Sequence, residues 1–260
     1  VVDSPLSLTF IGTGGVRAAP LFGCNCQGCQ QARQFTAFLR RPCSALIQCG
    51  NDRTLLDAGA DLLSLGLLDA DRDEPPRQRI LLTHYHMDHV QGLFPLRWSN
   101  GPRIPVFSPP DPKGCDDLFK HPGLLDFQFL PTPFSRYTLG PLTVIPIPLQ
   151  HSRLTWGYLI RGEKVQLAYL TDTRGLPERS LAFLCQQPLD GVIIDCTYPP
   201  LDTPDKNHND INSATVLYNR LRPKRFLLTH IDHSLDEWLL SHSLPTGMEI
   251  AYDNQTIVFG

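Results

Sequence analysis

Thr83-His84-Tyr85-His86-Met87-Asp88-His89 places three imidazoles and a carboxylate within seven residues, directly after the apolar run Ile80-Leu81-Leu82. Such a run, bounded by polar residues, suits the interior of a sheet, so residues 79–83 are expected to form a buried strand with the histidines at its C-terminal end. Side chains two apart on an extended segment point the same way. That directs His84 and His86 towards one ion, while the turning backbone sends Asp88 and His89 towards a second. Imidazole and carboxylate suit Zn, Mn or Fe, and two such ions about 3.5–4 Å apart clamp both the attacking and the leaving oxygen of a phosphoryl or acyl transfer. The alternative is a polar loop that is merely histidine-rich, but His-x-His-x-Asp-His is a far more restrictive spacing than a lone His-x-His.

One loop holds too few donors for two ions. His151 follows the strand-like run 142–149, Asp172 follows 165–170 in Thr171-Asp172-Thr173, and His230 follows 225–228. Each alone reads as a turn or cap residue. Together they have the distribution of an active site, which collects at one end of a sheet. Asp172 is the expected bridging carboxylate, the single-atom means of holding two cations close. A second site is carried by Cys24-Asn25-Cys26-Gln27-Gly28-Cys29, three thiols within six residues, too close for an ordinary disulfide framework and suited to one soft ion. His233, three residues after His230, is the candidate fourth ligand. Cys43, Cys49, Cys115, Cys185 and Cys196 show no ligand spacing and read as small apolar or reduced residues. Asp57 is expected to orient the metal loop through hydrogen bonds or to serve as a strand-end turn.

Strand-like runs at 6–11, 45–49, 53–56, 104–107, 142–149, 156–160, 165–170, 191–195 and 225–228 are interleaved with helical candidates at 176–186 and 211–221, which predicts a layered α/β protein. Leu81-Leu82-Thr83-His84 is echoed by Leu227-Leu228-Thr229-His230, as expected if two β-rich halves each deliver a histidine to a shared cleft. The 260 residues, 42% of them hydrophobic, allow one sizeable core, so a single domain over residues 1–260 is expected. No stretch is long and apolar enough to span a bilayer and no secretory pattern is evident, so no membrane partner and a cytoplasmic location are expected. The net charge of −3 exerts no global pull on polyanions.

These features resemble the metallo-β-lactamase superfamily: the His-x-His-x-Asp-His signature, Gly12-Thr13-Gly14-Gly15 after the first strand, Leu56-Asp57-Ala58-Gly59 before the metal loop, and the later His, Asp and His. Within it, Val90-Gln91-Gly92-Leu93-Phe94-Pro95-Leu96-Arg97-Trp98 and Cys115-Asp116-Asp117-Leu118-Phe119-Lys120-His121-Pro122-Gly123 are similar to the PhnP family, phosphodiesterases of the carbon-phosphorus lyase pathway, and the resemblance runs nearly end to end. It implies an α/β fold of the αββα four-layer sandwich type. It also implies a dinuclear catalytic site holding two Mn2+ or Zn2+ on His84, His86, Asp88, His89, His151, Asp172 and His230. Cys24, Cys26, Cys29 and His233 would hold one structural Zn2+, and a homodimer is expected. His208 matches the histidine that faces the scissile phosphate in these enzymes. Protonated, it steadies developing charge or protonates the leaving oxygen, with Asp88 as its catalytic companion in the metal loop. Lys120, Ser152 and Arg153 are weaker candidates for phosphate contacts, and His121 and His242 read as surface or packing residues.

The function expected is a dinuclear metal-dependent phosphodiesterase that opens cyclic phosphates. The resemblance implies 5-phosphoribosyl 1,2-cyclic phosphate, opened to ribose 1,5-bisphosphate in phosphonate catabolism, with 2′,3′-cyclic nucleotides as further substrates. A β-lactamase is disfavoured, because those enzymes usually carry an export signal and often a cysteine where Asp172 stands. A glyoxalase-type thioesterase shares the ligand set and is opposed only by the flanking stretches. A tRNA 3′-end endonuclease should carry a basic arm that is not evident here, so no large nucleic acid is expected as a partner. A metal-binding regulator without chemistry would have no need of all seven ligand positions.

Overall fold

Apolar side chains alternate along most strands, so each strand feeds two different cores, and this decides how the layers stack. In Leu142–Pro148, Leu142 and Val144 face one core while Ile145 and Ile147 face another; Leu167 and Tyr169 are similarly opposed to Ala168 and Leu170. The computed structural model describes residues 5–66 and 77–260; residues 1–4 and 67–76 of the expected 1–260 domain lie outside the described residues.

The described strands are β1 (Leu6–Gly12), β2 (Ser44–Cys49), β3 (Asp52–Leu56), β4 (Arg77–Leu81), β5 (Ile104–Ser108), β6 (Leu125–Phe129), β7 (Tyr137–Leu139), β8 (Leu142–Pro148), β9 (Trp156–Arg161), β10 (Gln166–Leu170), β11 (Gly191–Asp195), β12 (Arg225–Thr229), β13 (Met248–Ile250) and β14 (Thr256–Phe259). They form two seven-stranded sheets, ordered β14-β1-β2-β3-β4-β5-β6 and β7-β8-β9-β10-β11-β12-β13. Read in these directions, each sheet runs through three antiparallel pairings and then three parallel ones. The sheets are thus two copies of one arrangement, packed face to face over a core that includes Leu8, Phe10, Ile47, Leu81, Val144, Tyr158, Leu167, Tyr169, Ile193 and Leu227.

Helices cover the outer faces. They are α1 (Gln27–Gln34), α2 (Met87–Val90), α3 (Asp116–Lys120), α4 (Glu178–Leu184), α5 (Ile211–Leu221) and α6 (His233–Leu239), with 3-10 turns at Thr36–Phe38 and Gln91–Trp98. Leu118 of α3 and the 3-10 segment residues Leu93 and Leu96 pack on the outside of the first sheet; Leu184, Ala214, Leu217 and Leu235 pack on the outside of the second. The result is the αββα four-layer sandwich. Helix α5 begins where a capping box dictates, with the Asp210 carboxylate accepting from Ser213 N at 2.9 Å and the Ser213 side chain returning to the Asp210 backbone. No described helix is long and apolar enough to cross a membrane.

One expectation changes. The metal-loop strand is Arg77–Leu81 rather than residues 79–83, because Leu82 and Thr83 have left the β3–β4 ladder and bond elsewhere: Leu82 N donates to Phe107 O, and Trp156 N donates to Thr83 O. The echo between Leu81-Leu82-Thr83-His84 and Leu227-Leu228-Thr229-His230 does deliver one histidine from each sheet to the shared cleft, although the strands that carry it are not equivalent. In the two-sheet correspondence β4 matches β11, while β12 matches β5.

Candidate active site and metal centres

Strand ends bring the predicted donors together at the cleft between the sheets. His84, His86, His151 and Asp172 form one group with ligand atoms all within 4.8 Å of one another, and Asp88, His89 and His230 form a second. Asp172 Oδ2 lies 3.7 Å from His84 Nε2 and 3.8 Å from His151 Nε2 on one side, and 3.3 Å from both His89 Nε2 and His230 Nε2 on the other. A single carboxylate oxygen is therefore shared by both groups. His86 Nδ1 approaches His84 Nε2 at 2.9 Å and His151 Nε2 at 3.0 Å. Asp88 Oδ2 is 3.3 Å from His230 Nε2.

The donor set fits divalent cations. Burial, reinforced by the neighbouring imidazoles, lowers His86 to about 4 and holds His84 well below the ordinary histidine range; burial lowers His151 too. Burial thus favours the neutral ring in all three, and their nitrogens crowd within ligand distance of one another. His89 Nε2 is buried and makes no hydrogen bond. For the carboxylates burial acts the other way, yet the charges of His89 and His230 lower Asp88 to about 2 and hold Asp172 well below its usual range. Crowded imidazole nitrogens, an unpartnered His89 Nε2 and buried carboxylates that stay ionised only with positive charge beside them are the arrangement a bound cation resolves.

Local structure explains why these rings are held. Asp57 and His230 adopt left-handed backbone conformations, φ 56° and 61°, that turn the chain sharply at strand ends. Asp57 accepts from Thr83 N at 2.8 Å and from His89 Nδ1 at 2.9 Å, so it orients the metal loop as expected. Gly59 is required beneath that loop, since a Cβ there would meet Asp88 O at 1.8 Å; likewise a Cβ on Gly15 would meet the His230 ring at 2.7 Å. Thr83 Oγ1 lies 3.0 Å from His84 Nδ1, Thr197 Oγ1 lies 3.0 Å from His230 Nδ1, and Asn207 O lies 3.2 Å from His151 Nδ1.

His208 stands over the cleft, stacked on His230 with ring centroids 4.9 Å apart and 5.2 Å from the His151 ring. Its Nδ1 contacts Asp195 Oδ2 at 2.8 Å. Burial opposes its charge, but the Asp195 carboxylate, through charge and hydrogen bond, raises it to about 9. Asp195 was not singled out from the sequence. It ends β11, accepts from Thr173 N at 3.0 Å and from Thr197 Oγ1 at 2.9 Å, and so joins His208 to the support of His230. Its signal was a carboxylate closing the wholly apolar run Val192-Ile193-Ile194.

The cysteine cluster is also assembled. Cys24, Cys26, Cys29 and His233 present donors within 4.8 Å of one another, with Cys24 Sγ and Cys26 Sγ each 3.6 Å from His233 Nδ1. Bonds of about 2.3 Å to sulfur and 2.0–2.1 Å to nitrogen at a tetrahedral angle leave donors about 3.6 Å apart, so these spacings fit zinc. The Cys24 thiol is lowered by hydrogen bonds from Cys26, whereas burial pushes Cys26 up to about 12. Cys43 proves to lie beside Asp57 and His89, where burial pushes its thiol up and Tyr169 Oη sits 3.3 Å away. Two weaker candidates are otherwise engaged: the Arg153 guanidinium is held by Asp111, and Lys120 pairs with Asp116 at 3.6 Å. His242 stacks on Trp238.

A family model described as "Beta-lactamase superfamily domain" matches residues 52–231. No curated protein matches the chain. Among solved structures, a diphosphatase from the PhnP family is 24% identical with a TM-score of 0.81, over 98% of this chain and 97% of that one. Zn(2+)-bound PqqB from Methylobacterium extorquens is 17% identical with a TM-score of 0.75, over 96% and 99%. The short form of human tRNase Z is 19% identical with a TM-score of 0.66, over 96% and 98%.

Proposed function

The chain belongs to the beta-lactamase superfamily, and from that premise we propose that it is a metal-dependent hydrolase that opens small cyclic phosphodiesters. The observation that carries this reading is Asp172 Oδ2 shared between the two donor groups, with His208 stacked on His230 of one and tilted against His151 of the other. Neighbours in fold described as a diphosphatase and a tRNase support phosphoester chemistry. His84, His86 and His151 would hold one divalent cation, Asp88, His89 and His230 the second, and Asp172 both. Two such ions supply the charge that neutralises phosphoryl oxygens and the Lewis acidity that makes water nucleophilic near neutral pH.

The remaining work falls to the chain's own groups. With Nδ1 committed to Asp195, His208 keeps Nε2 for the substrate, and its charged form donates that proton to the departing alkoxide. Asp195 restores the ring's orientation between turnovers. A cyclic phosphate suits this cleft because the leaving oxygen stays tethered to the product, so a single small molecule is gripped. The substrate favoured is 5-phosphoribosyl 1,2-cyclic phosphate, with 2′,3′-cyclic nucleotides as further substrates, and the cysteine cluster is assigned one structural zinc.

The test is hydrolysis by protein of measured metal content, offered 5-phosphoribosyl 1,2-cyclic phosphate, a 2′,3′-cyclic nucleotide, a thioester and a β-lactam. Ring-opening of the cyclic phosphates is the expected result. Thioester turnover with no phosphodiester cleavage would sink the proposal.

A further inference from the structure

Four of the candidate imidazole ligands have their second ring nitrogen within reach of a polar partner: His84 of Thr83, His89 of Asp57, His151 of Asn207 O and His230 of Thr197. His86 is the exception among the described residues. Its Nδ1 points at the other imidazoles and its Nε2 has no protein partner, so no side chain aims this ring. Its backbone must do so.

That backbone is held by an ion pair the proposed chemistry does not use. Arg153 lies two residues after His151. Its NH1 donates to Tyr85 O at 2.9 Å, its NH2 donates to Gly114 O at 3.0 Å, and its Nε and NH2 reach Asp111 Oδ2 at 3.2 and 3.1 Å. Tyr85 is the residue between His84 and His86, and its phenol donates to Ser108 Oγ at 2.6 Å. The Arg153 and Asp111 side chains are 21% and 6% exposed.

We propose that Arg153, fixed by Asp111, is a positioning residue for the metal subsite of His84, His86 and His151. These three ligands come from different sheets: two follow β4 and one follows β8. The core between the sheets is apolar and its attraction is non-directional, whereas a ligand set must be held to within about 0.5 Å. Carbonyls of Leu82, Thr83 and Tyr85 all accept hydrogen bonds from the second half, from Tyr158 Oη, Trp156 N and Arg153 respectively. Of these three links, only that of Arg153 joins the residue between two proposed ligands, His84 and His86, to a segment carrying a third, His151, two residues away. A largely buried ion pair is a poor source of net stability, because desolvation offsets the attraction, but the planar guanidinium fork gives fixed geometry.

This inference rests on the metal reading of the cleft, and its test measures metal rather than turnover. Metal-free wild type, Arg153→Ala, Arg153→Lys and the double variant Arg153→Met with Asp111→Leu are equilibrated with buffered Zn2+; bound zinc is counted and each metal-free protein is melted. The double variant leaves no buried charge unpaired, so it folds even if Arg153→Ala does not. One histidine-cluster zinc should bind roughly 10–100-fold more weakly in Arg153→Ala and in the double variant, with the other and the cysteine zinc retained. Arg153→Lys keeps the charge but not the planar fork, so it should recover little of the loss. Wild-type zinc binding by the double variant, or equal weakening of both histidine-cluster ions, overturns the proposal. A wild type that takes up zinc only at the cysteines overturns it together with the proposed function.

Discussion

The histidine cluster and the cysteine cluster share the short stretch from His230 to His233, yet they are built on opposite plans. The histidine donors come from the ends of four strands in two sheets, lie mostly buried, and are held by a surrounding layer of Asp57, Thr83, Thr197 and Arg153. Three cysteine donors come from six consecutive residues; Cys26 caps α1 by accepting from Cys29 N, and His233 is the first residue of α6. The cysteine cluster uses a turn and two helix ends and remains partly exposed. Donors far apart in sequence need rigid sheets to meet, whereas donors close in sequence need only local backbone. The first plan yields a site fit for chemistry, the second a clasp.

The largest break in this comparison should come from Asp172→Ala. It removes the oxygen common to both donor groups, so hydrolysis is abolished and metal analysis shows only the cysteine-bound ion. His208→Ala should lower kcat by roughly 10²–10⁴-fold with the full metal content retained; loss of metal would make His208 a ligand instead. Asp195→Asn should cost roughly 10–100-fold in activity, since it slackens both His208 and Thr197. Cys26→Ala should release one zinc and lower the melting temperature while the surviving folded protein still cleaves phosphodiesters. The smallest effect belongs to the α5 cap: Asp210→Ala should cost about 1 kcal/mol of stability, read by denaturant titration, with metal content unchanged. The Ser213 hydrogen bonds overcome the burial that opposes ionisation and lower Asp210, so its contribution is present above the unfolded carboxylate value and lost as pH falls through the folded one.

What was legible in the sequence follows from the same contrast. The interior strands announce themselves, because a strand paired on both sides and covered on both faces is a dense apolar run, as in Val192-Ile193-Ile194 and Phe226-Leu227-Leu228. The four strands that were not anticipated, β6, β7, β13 and β14, are the four sheet edges. Met248-Glu249-Ile250 and Tyr137-Thr138-Leu139 are three residues each, and Thr256–Phe259 exposes every second side chain, so their pattern merges with that of loops. Helix α1 is hidden because Gln27-Gly28-Cys29-Gln30-Gln31 has no apolar stripe; a thiol cap and contact with α6, where Gly28 N donates to Glu237, define it instead. The donors were legible because His and Asp at strand ends are chemically conspicuous. Asp195 and the Arg153–Asp111 pair were not, since their roles exist only once separate strands stand side by side.

None of the proposed donors follows an edge strand. The sandwich therefore divides into a part that tolerates editing and a part that does not. Extending the chain beyond β14 adds mass at the flank of the molecule without shifting any donor, whereas the β7–β8 turn is less free, because a Cβ on Gly140 would meet Arg79 of β4 at 2.5 Å. One residue inserted between His84 and His89 would turn the donors that follow it in that loop off their target.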